Sequence, residues 1–449
     1  MNGTRWLASL AVGIGLSLFC LNAAPLAAQN CTAVPSAQPK YTMAEYNTYT
    51  AAANEKNAAT QVKALDDFVA KYPSSELLRF VYPTYYKNYF SQKNFQKTIE
   101  YADKEVALAD KATPQDCYEA YYARALAYMN IPNPDAQTAK SARDAALAGL
   151  KSLEQVPKPE GLDDEKFKKQ KEQSAIFLLG TAGSAGLAAK DCAGAAESYK
   201  AVLAITPDDL TSNFSLGKAY ACTAPPQTVD ALWYYSRAAT SKNANEQQSK
   251  SIKAYIRKMI VNYQGGTVCD SLTDAEMNEL LQLAGSSADR PATYKLFSAD
   301  DLKAARDAMN IATVVTDLKA GGDKAKLTWA GACGLEFPEV PTKVLEIAPA
   351  TDVVVIKGAF VTSDAEFEAA TTPNLEFKVV GQPEAAKIEM KKNEPAPFLH
   401  ITGTLDSYDP DPAFMMHWSK ATVKADELPK EKEKPAPKKP APKKPAPKP

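Results

Sequence analysis

Cysteine and histidine, the residues best suited to covalent, metal and acid–base chemistry, are scarce in this chain of 449 residues. There are seven cysteines and two histidines, His400 and His417, which both lie near the end of the sequence. The sequence contains no Walker A, GxGxxG, GxSxG or HExxH motif. We therefore predict a protein that is not an enzyme and has no catalytic residues, no metal and no cofactor. A pair of carboxylates of the glycosidase type, which leaves no short motif, is the alternative.

The cysteines indicate disulfide chemistry if the chain is exported. Residues 1–28 have the parts of a secretory signal peptide: Arg5, the 16-residue apolar stretch Trp6–Leu21, and a small-residue segment that ends at Ala28. That stretch is shorter than the roughly 20 residues that span a bilayer. Cleavage after Ala28 would remove Cys20, and an even number of cysteines in an exported chain favours disulfides. We expect a periplasmic or secreted protein whose remaining cysteines are Cys31, Cys117, Cys192, Cys222, Cys269 and Cys333.

The other end of the sequence is of low complexity. Lys434–Pro449 reads KPAPKKPAPKKPAPKP, with seven prolines and six lysines in a five-residue period. Because proline fixes φ and removes a hydrogen-bond donor, we expect residues 425–449 to form a disordered, polyproline-II-like tail. The tail carries eight lysines and four acidic residues, whereas the rest of the mature chain is acidic. We expect it to contact an anionic envelope polymer or membrane surface; a solubilising tail without a partner is the alternative.

The middle of the chain repeats a pattern of paired amphipathic helices. Over Phe177–Thr240, Gly183 and Gly217 stand 34 residues apart, each on the first helix of a pair. Aromatic residues follow one turn away, and Pro207 ends the first pair. A small residue where two helices cross permits close helix packing. Weaker units of the same kind lie upstream, so we predict about five helical hairpins over residues 41–265, after an N-terminal segment at 29–40.

This pattern resembles the tetratricopeptide repeat (TPR) family, most closely over Phe177–Thr240. The resemblance implies an α-solenoid in which each hairpin buries its apolar face against the next. In that family the first helix of each hairpin lines a concave groove, which suits an extended peptide or a partner helix. Packing of these side chains against the chain's own flanking segments is the alternative. Carried over by position, the groove residues are Lys87, Phe90, Tyr122, Met129, Phe214 and Lys218.

The same arrangement of helices predicts that one pair of cysteines lies close together. Cys192 opens the second helix of one hairpin and Cys222 ends the first helix of the next, and these helices run antiparallel. We therefore predict a Cys192–Cys222 disulfide. The pairs Cys31–Cys117 and Cys269–Cys333 follow by elimination only.

After the repeats we predict a helical bridge over residues 266–341. A helix at Ile252–Tyr263 precedes the bridge. The bridge itself would contain a helix that begins at a Thr273–Glu276 capping box and a helix from Ser298 through Ile311. The apolar period then changes to two residues, which predicts a β-rich domain over residues 342–424, either an OB-like barrel or a sandwich. The predicted strands are Val344–Ile347, Asp352–Phe360, Leu375–Val380, Ala386–Met390, Leu399–Leu405 and Met415–Val423.

Two functions fit these features. In the first, the chain is an exported cell-envelope scaffold that binds a peptide or protein partner in the concave groove. In the second, the β-rich domain binds a carbohydrate or another small ligand, and the helices only position it. Neither involves nucleic acid, because the β-rich domain is acidic and lacks interleaved basic and aromatic residues.

Overall fold

The computed structural model describes residues 31–33, 40–266, 269–391, 394–410 and 412–429. The predicted signal peptide at 1–28 and residues 430–449 of the predicted tail lie outside the described residues. The tail prediction is wrong for residues 425–429, because Ala425–Glu427 form a 3₁₀ turn and Glu427 contacts His400. By its internal contacts the chain divides into two compact units. The first comprises residues up to Tyr234 together with 241–243, and the second comprises 235–240 and everything from Ala244 onward.

The first unit is built of helices, as the sequence predicts. A single 3₁₀ turn, Ala109–Lys111, separates the fourth helix from the fifth. The last helix of the series crosses the boundary between the two units. The helices are α1 (Met43–Ala53), α2 (Ala58–Lys71), α3 (Leu78–Ser91), α4 (Phe95–Val106), α5 (Pro114–Met129), α6 (Ala136–Gln155), α7 (Asp164–Ala188), α8 (Cys192–Ile205), α9 (Leu210–Ala221) and α10 (Thr228–Thr240).

Two of the hairpins turn in the same way. Lys93 and Lys190 each adopt a left-handed φ, near 60°, directly after a helix. In both turns the next residue, Asn94 or Asp191, donates its backbone N–H to the carbonyl oxygen five positions back and caps the following helix with its side chain. This is a Schellman-type helix end joined directly to an N-cap. The tight turn forces the two helices to run back along each other.

Consecutive helices of the first unit pack in pairs, and the first helices of neighbouring pairs also touch. α3 packs on α4, α5 on α6 and α7 on α8, while α3, α5, α7 and α9 contact one another in order. Gly183 of α7 shows why small residues recur here: a Cβ at that position would lie 2.7 Å from the ring of Tyr199 on α8. The odd-numbered helices therefore form one layer, and this layer carries the candidate site.

The second unit begins with helices and ends with strands. Its helices are α11 (Glu246–Tyr263), α12 (Asp270–Ser286), α13 (Ala299–Asp307), α14 (Ile311–Ala320), α15 (Gly322–Ala332) and α16 (Asp364–Ala369). Its strands are β1 (Glu336–Ala350), β2 (Val353–Phe360), β3 (Leu375–Val380), β4 (Phe398–Asp409) and β5 (Met415–Val423). The predicted change of period from helix to strand is therefore correct.

The five strands close into a barrel in the order β1-β2-β3-β5-β4. All pairs are antiparallel except β3 with β5, which is parallel. Alternate residues point inward, and Phe377 and Trp418 stack at the centre with ring centroids 5.3 Å apart. The same apolar core includes Val314 and Leu318 of α14. The fold of this region is thus a barrel and not a sandwich.

Several predicted boundaries in the second unit are wrong. α12 begins at Asp270, and Thr273 lies inside that helix with its hydroxyl donating to the carbonyl of Cys269, so it caps nothing. The Ser298 capping box is present, but its helix ends at Asp307, and Asn310 starts α14 as a separate helix. Residues 386–390 form no strand, because a 3₁₀ turn at Pro383–Lys387 occupies the start of that segment.

Three disulfides join the six cysteines that follow residue 28. Cys192 is bonded to Cys222, with their Cα atoms 5.8 Å apart, and this is the pair that the hairpin arrangement predicts. Cys31 is bonded to Cys117 and Cys269 to Cys333, the pairings reached by elimination. Within the described residues, no helix combines the length and apolar character that a membrane span needs.

Candidate functional site

A pocket of about 310 Å³ opens between α3 and α5 in the first unit. Four aromatic rings form most of its wall, and Ala123 and Leu126 complete the apolar part. One cation and one anion stand at its edge. The aromatic and charged lining residues are Tyr86, Phe90, Tyr118, Tyr122, Lys87 and Glu119.

The pocket brings together three of the six groove residues named from the TPR resemblance. Lys87, Phe90 and Tyr122 line it. Met129 lies further along α5 with 52 % of its surface exposed and is not part of the lining. Phe214 and Lys218 are on α9, where the Lys218 ammonium lies 4.9 Å from the Phe214 ring. The six residues are thus not gathered in one place.

Five lining residues were not predicted from the sequence: Tyr86, Tyr118, Glu119, Ala123 and Leu126. Tyr118 precedes Tyr122 by four residues, so both stand on one face of α5. That spacing was a usable signal in the sequence. Tyr86 adjoins Lys87 in sequence, but its ring is 98 % buried, and periodicity alone assigns such a residue to the core.

Helix α7 supports the α5 side of the pocket. The Tyr118 hydroxyl lies 2.7 Å from the Ser174 hydroxyl, and either oxygen can donate in this hydrogen bond. The ring of Tyr122 packs against Phe177 with centroids 4.6 Å apart. Two of the four aromatic walls are therefore held in place by a neighbouring helix before any ligand arrives, which lowers the entropy cost of binding.

The charges at the edge are only weakly paired. The Lys87 ammonium and the Glu119 carboxylate are 4.0 Å apart, and their side chains are 68 % and 43 % exposed. Exposed ion pairs at this separation stabilise a protein by less than about 1 kcal/mol. By contrast, the nearby Asp116 carboxylate pairs with Arg79 at 2.9 Å in a mostly buried position. Glu119 also accepts a hydrogen bond from the side-chain amide of Gln115 at 2.7 Å. Of the two carboxylates it is the more exposed, and therefore the one that a ligand cation can reach.

A buried carboxyl group lies behind the pocket. Glu105 of α4 has no exposed surface, and within the described residues neither its oxygens nor the Tyr86 hydroxyl complete a hydrogen bond of ordinary geometry. Burial is the main cause that raises the pKa of Glu105 well above its usual value, and the charge of Asp116 adds to it. Burial also raises the pKa of Tyr86, with a further contribution from Glu105. The buried position of Glu105 therefore favours the protonated form of its carboxyl group.

This buried acid makes stability depend on pH in a defined direction. Between the unfolded pKa, 4.5, and the raised folded pKa, the folded state holds a proton that the unfolded state releases. The contribution of Glu105 to the free energy of unfolding is therefore fully present at low pH. It falls by about 1.4 kcal/mol for each pH unit within that window. We expect Glu105→Gln to match the wild type near pH 4 and to become more stable than it as the pH rises above 4.5, measured by guanidinium denaturation.

Glu100→Gln on the same helix is the matched control. Burial opposes ionisation of Glu100, but hydrogen bonds from Lys104 and Lys97 outweigh it and lower its pKa. Ionised Glu100 therefore stabilises the folded state above pH 4.5, and this stabilisation is lost in acid. We expect Glu100→Gln to be less stable than the wild type at neutral pH. A Glu105→Gln variant whose stability tracks the wild type at every pH would show that Glu105 is not held neutral.

The two histidines do not pair with each other. The Nδ1 atom of His400 lies 2.6 Å from a carboxylate oxygen of Glu427. His417 lies between Asp409 and Glu376, with ring nitrogens 2.9 and 3.2 Å from their oxygens. Burial opposes protonation of His417, but these two contacts outweigh it and raise its pKa. No cluster of three His, Cys, Asp or Glu side chains among the described residues is arranged to hold a metal ion.

The chain was compared with family models, curated proteins and solved structures, and none of the three comparisons found a match.

Proposed function

We propose that this protein is an exported, TPR-like scaffold that binds an extended peptide or a partner helix along the layer of odd-numbered helices. The observation that carries the proposal is the aromatic pocket between α3 and α5, where Lys87, Phe90 and Tyr122 meet. A concave, mostly apolar site with a few polar groups at its edge has the general form of a ligand-binding site. No catalytic role is proposed for any residue.

The repeated hairpin turns support the solenoid part of this proposal. The turns at Lys93-Asn94 and Lys190-Asp191 have the same backbone hydrogen bonds and the same left-handed residue. The contacts of α3, α5, α7 and α9 in order give the stacking that helical repeats require. The three disulfides support export, because disulfides persist in oxidising compartments.

The alternative, ligand binding by an OB-like barrel, has weaker support. A cavity of about 290 Å³ lies at the end of the β1–β2 hairpin. Its lining is aliphatic apart from Asp352 and Gln382, and it contains no aromatic ring. Sugars stack on aromatic faces and hydrogen-bond to several polar groups, so this lining suits a carbohydrate poorly.

Selection of peptides by phage display against the full chain tests the proposal. We expect selected peptides to bind at least about tenfold more weakly to Tyr122→Ala and to Phe90→Ala, because each variant removes one aromatic wall. Met129→Ala is the matched control: it removes an exposed apolar side chain from the same helix but leaves the pocket lining unchanged. Binding is measured by surface plasmon resonance, and circular dichroism checks that each variant is folded.

The proposal would be overturned by selected peptides that bind the wild type, Tyr122→Ala and Phe90→Ala with the same affinity. Peptides that bind at the barrel would behave in that way and would favour the alternative.

A further inference from the structure

We propose that the pocket between α3 and α5 takes an arginine side chain of the partner peptide, with its guanidinium group stacked on the aromatic rings and paired with Glu119. This inference rests on the proposed function, because it names the residue type that anchors the peptide in the same pocket. It is carried by the aromatic faces of the pocket, by one oxygen of Glu119, and by the acidic groups around Tyr86.

The aromatic walls suit a flat cation. Tyr86 and Phe90 line the pocket from α3, and Tyr118 and Tyr122 line it from α5. The rings of Tyr118 and Tyr122 are 5.8 Å apart between centroids and are tilted by 58°. Cations bind over the faces of such rings, and arginine does so more often than lysine. A planar, weakly hydrated guanidinium stacks on a flat ring, whereas a lysine ammonium is a compact charge that holds its water strongly. The walls therefore favour arginine.

The carboxylate of Glu119 supplies the partner for that cation. Its Oε1 atom accepts the hydrogen bond from the Gln115 amide at 2.7 Å, but this donor is neutral and leaves the negative charge in place. Its Oε2 atom lies 4.0 Å from the ammonium of Lys87, whose side chain is 68 % exposed and can turn into solvent. Hydrogen bonds between a guanidinium and a carboxylate are among the strong ones in proteins. Oε2 is therefore the atom that an arginine of the ligand pairs with.

The acidic groups around Tyr86 favour a cation over an anion. Burial is the main cause that raises the pKa of Tyr86, and the charges of Glu105, Glu119 and Asp116 raise it further. This wall of the pocket thus lies close to three carboxyl groups. Lys87 is the basic residue of the lining, and it stands at the exposed edge. An anionic side chain would gain Lys87 but would lie against these acidic groups, so charge complementarity favours a cationic anchor.

The test starts from the phage-selected peptides that need Tyr122 and Phe90 for binding. We expect these peptides to share an arginine. Replacing that arginine by citrulline keeps the planar group but removes the charge, and should weaken binding at least about tenfold. Replacing it by lysine keeps the charge but removes the planar group, and should weaken binding at least about fivefold. Surface plasmon resonance with the full chain measures each affinity.

Variants of the protein test the same pairing from the other side. Glu119→Gln should weaken binding of the arginine peptide at least about fivefold and leave binding of the citrulline peptide unchanged. Lys87→Gln removes the competing cation and should strengthen binding of the arginine peptide about twofold. Glu197→Gln is the matched control, because it removes an exposed carboxylate of α8 that is not part of the lining. Circular dichroism checks that each variant is folded.

Equal affinities of the arginine and citrulline peptides would overturn the inference. A peptide whose binding is weakened by Lys87→Gln and unaffected by Glu119→Gln would also overturn it, because its anchor would then be anionic. In both cases, peptides that still lose affinity with Tyr122→Ala and Phe90→Ala leave the proposed function standing. If no selected peptide depends on those two rings, the inference and the proposed function both fail.

Discussion

Trp418→Ala is expected to destabilise the second unit by about 3–5 kcal/mol, the usual cost of truncating a buried tryptophan. Trp418 is 99 % buried at the centre of the barrel, stacked on Phe377 and edge-on to Phe337 at 5.6 Å. Its indole N–H makes no hydrogen bond within the described part of the chain, so the loss arises from packing and the cavity left behind. In a thermal scan the midpoint of this unit should fall by about 10 °C.

Trp418→Phe is the matched control, because it keeps an aromatic ring beside Phe377. We expect it to lose less than half of what the alanine variant loses. Lys378→Ala, an exposed change next to Phe377 on β3, should leave the midpoint unchanged. A Trp418→Ala variant that unfolds within 0.5 kcal/mol of the wild type would mean that Trp418 is not part of the core.

Loss of the Cys192–Cys222 disulfide is expected to destabilise the first unit by about 3.5 kcal/mol. The bond closes a loop of 30 residues, and the chain-entropy model gives this value for that length. It joins the first residue of α8 to the residue that ends α9, so it links two successive hairpins. The Cys192→Ser/Cys222→Ser double variant, compared with the wild type by guanidinium denaturation without reductant, measures the effect.

Repeating that comparison under strongly reducing conditions provides the control. Both proteins then lack the bond, and their difference in stability should shrink toward zero. Equal denaturation midpoints without reductant would show that the disulfide contributes nothing to the folded state.

The order of helices and strands was predictable because apolar period and turn residues are local signals. β3 and β5 have the bounds that alternation predicts, and the Ser298 capping box begins α13. The N-cap predicted at Thr273 is wrong because α12 begins earlier, at Asp270. The residue before that start, Cys269, is bonded to Cys333, a tertiary contact that no local pattern shows. The strand predicted from Ala386 failed because Pro383 favours a 3₁₀ turn at the position where the alternation starts.

The candidate site was predictable only in part. The TPR resemblance supplied Lys87, Phe90 and Tyr122, because it assigns a face to each helix. It could not indicate that Met129 is too far along α5 to reach the pocket. Nor could any local pattern single out Glu105, since an acidic residue on an amphipathic helix is normally exposed, and only the packing of α3, α4 and α5 leaves it without solvent.

The shared core of the barrel and α14 has a practical consequence for protein production. Val314 and Leu318 are packed among the same residues as the inner face of the strands. A fragment that starts at the first strand would leave that apolar surface bare to water, and such surfaces promote aggregation. Truncations meant to isolate the barrel should therefore start before Ile311, so that expression yields a folded domain and not inclusion bodies.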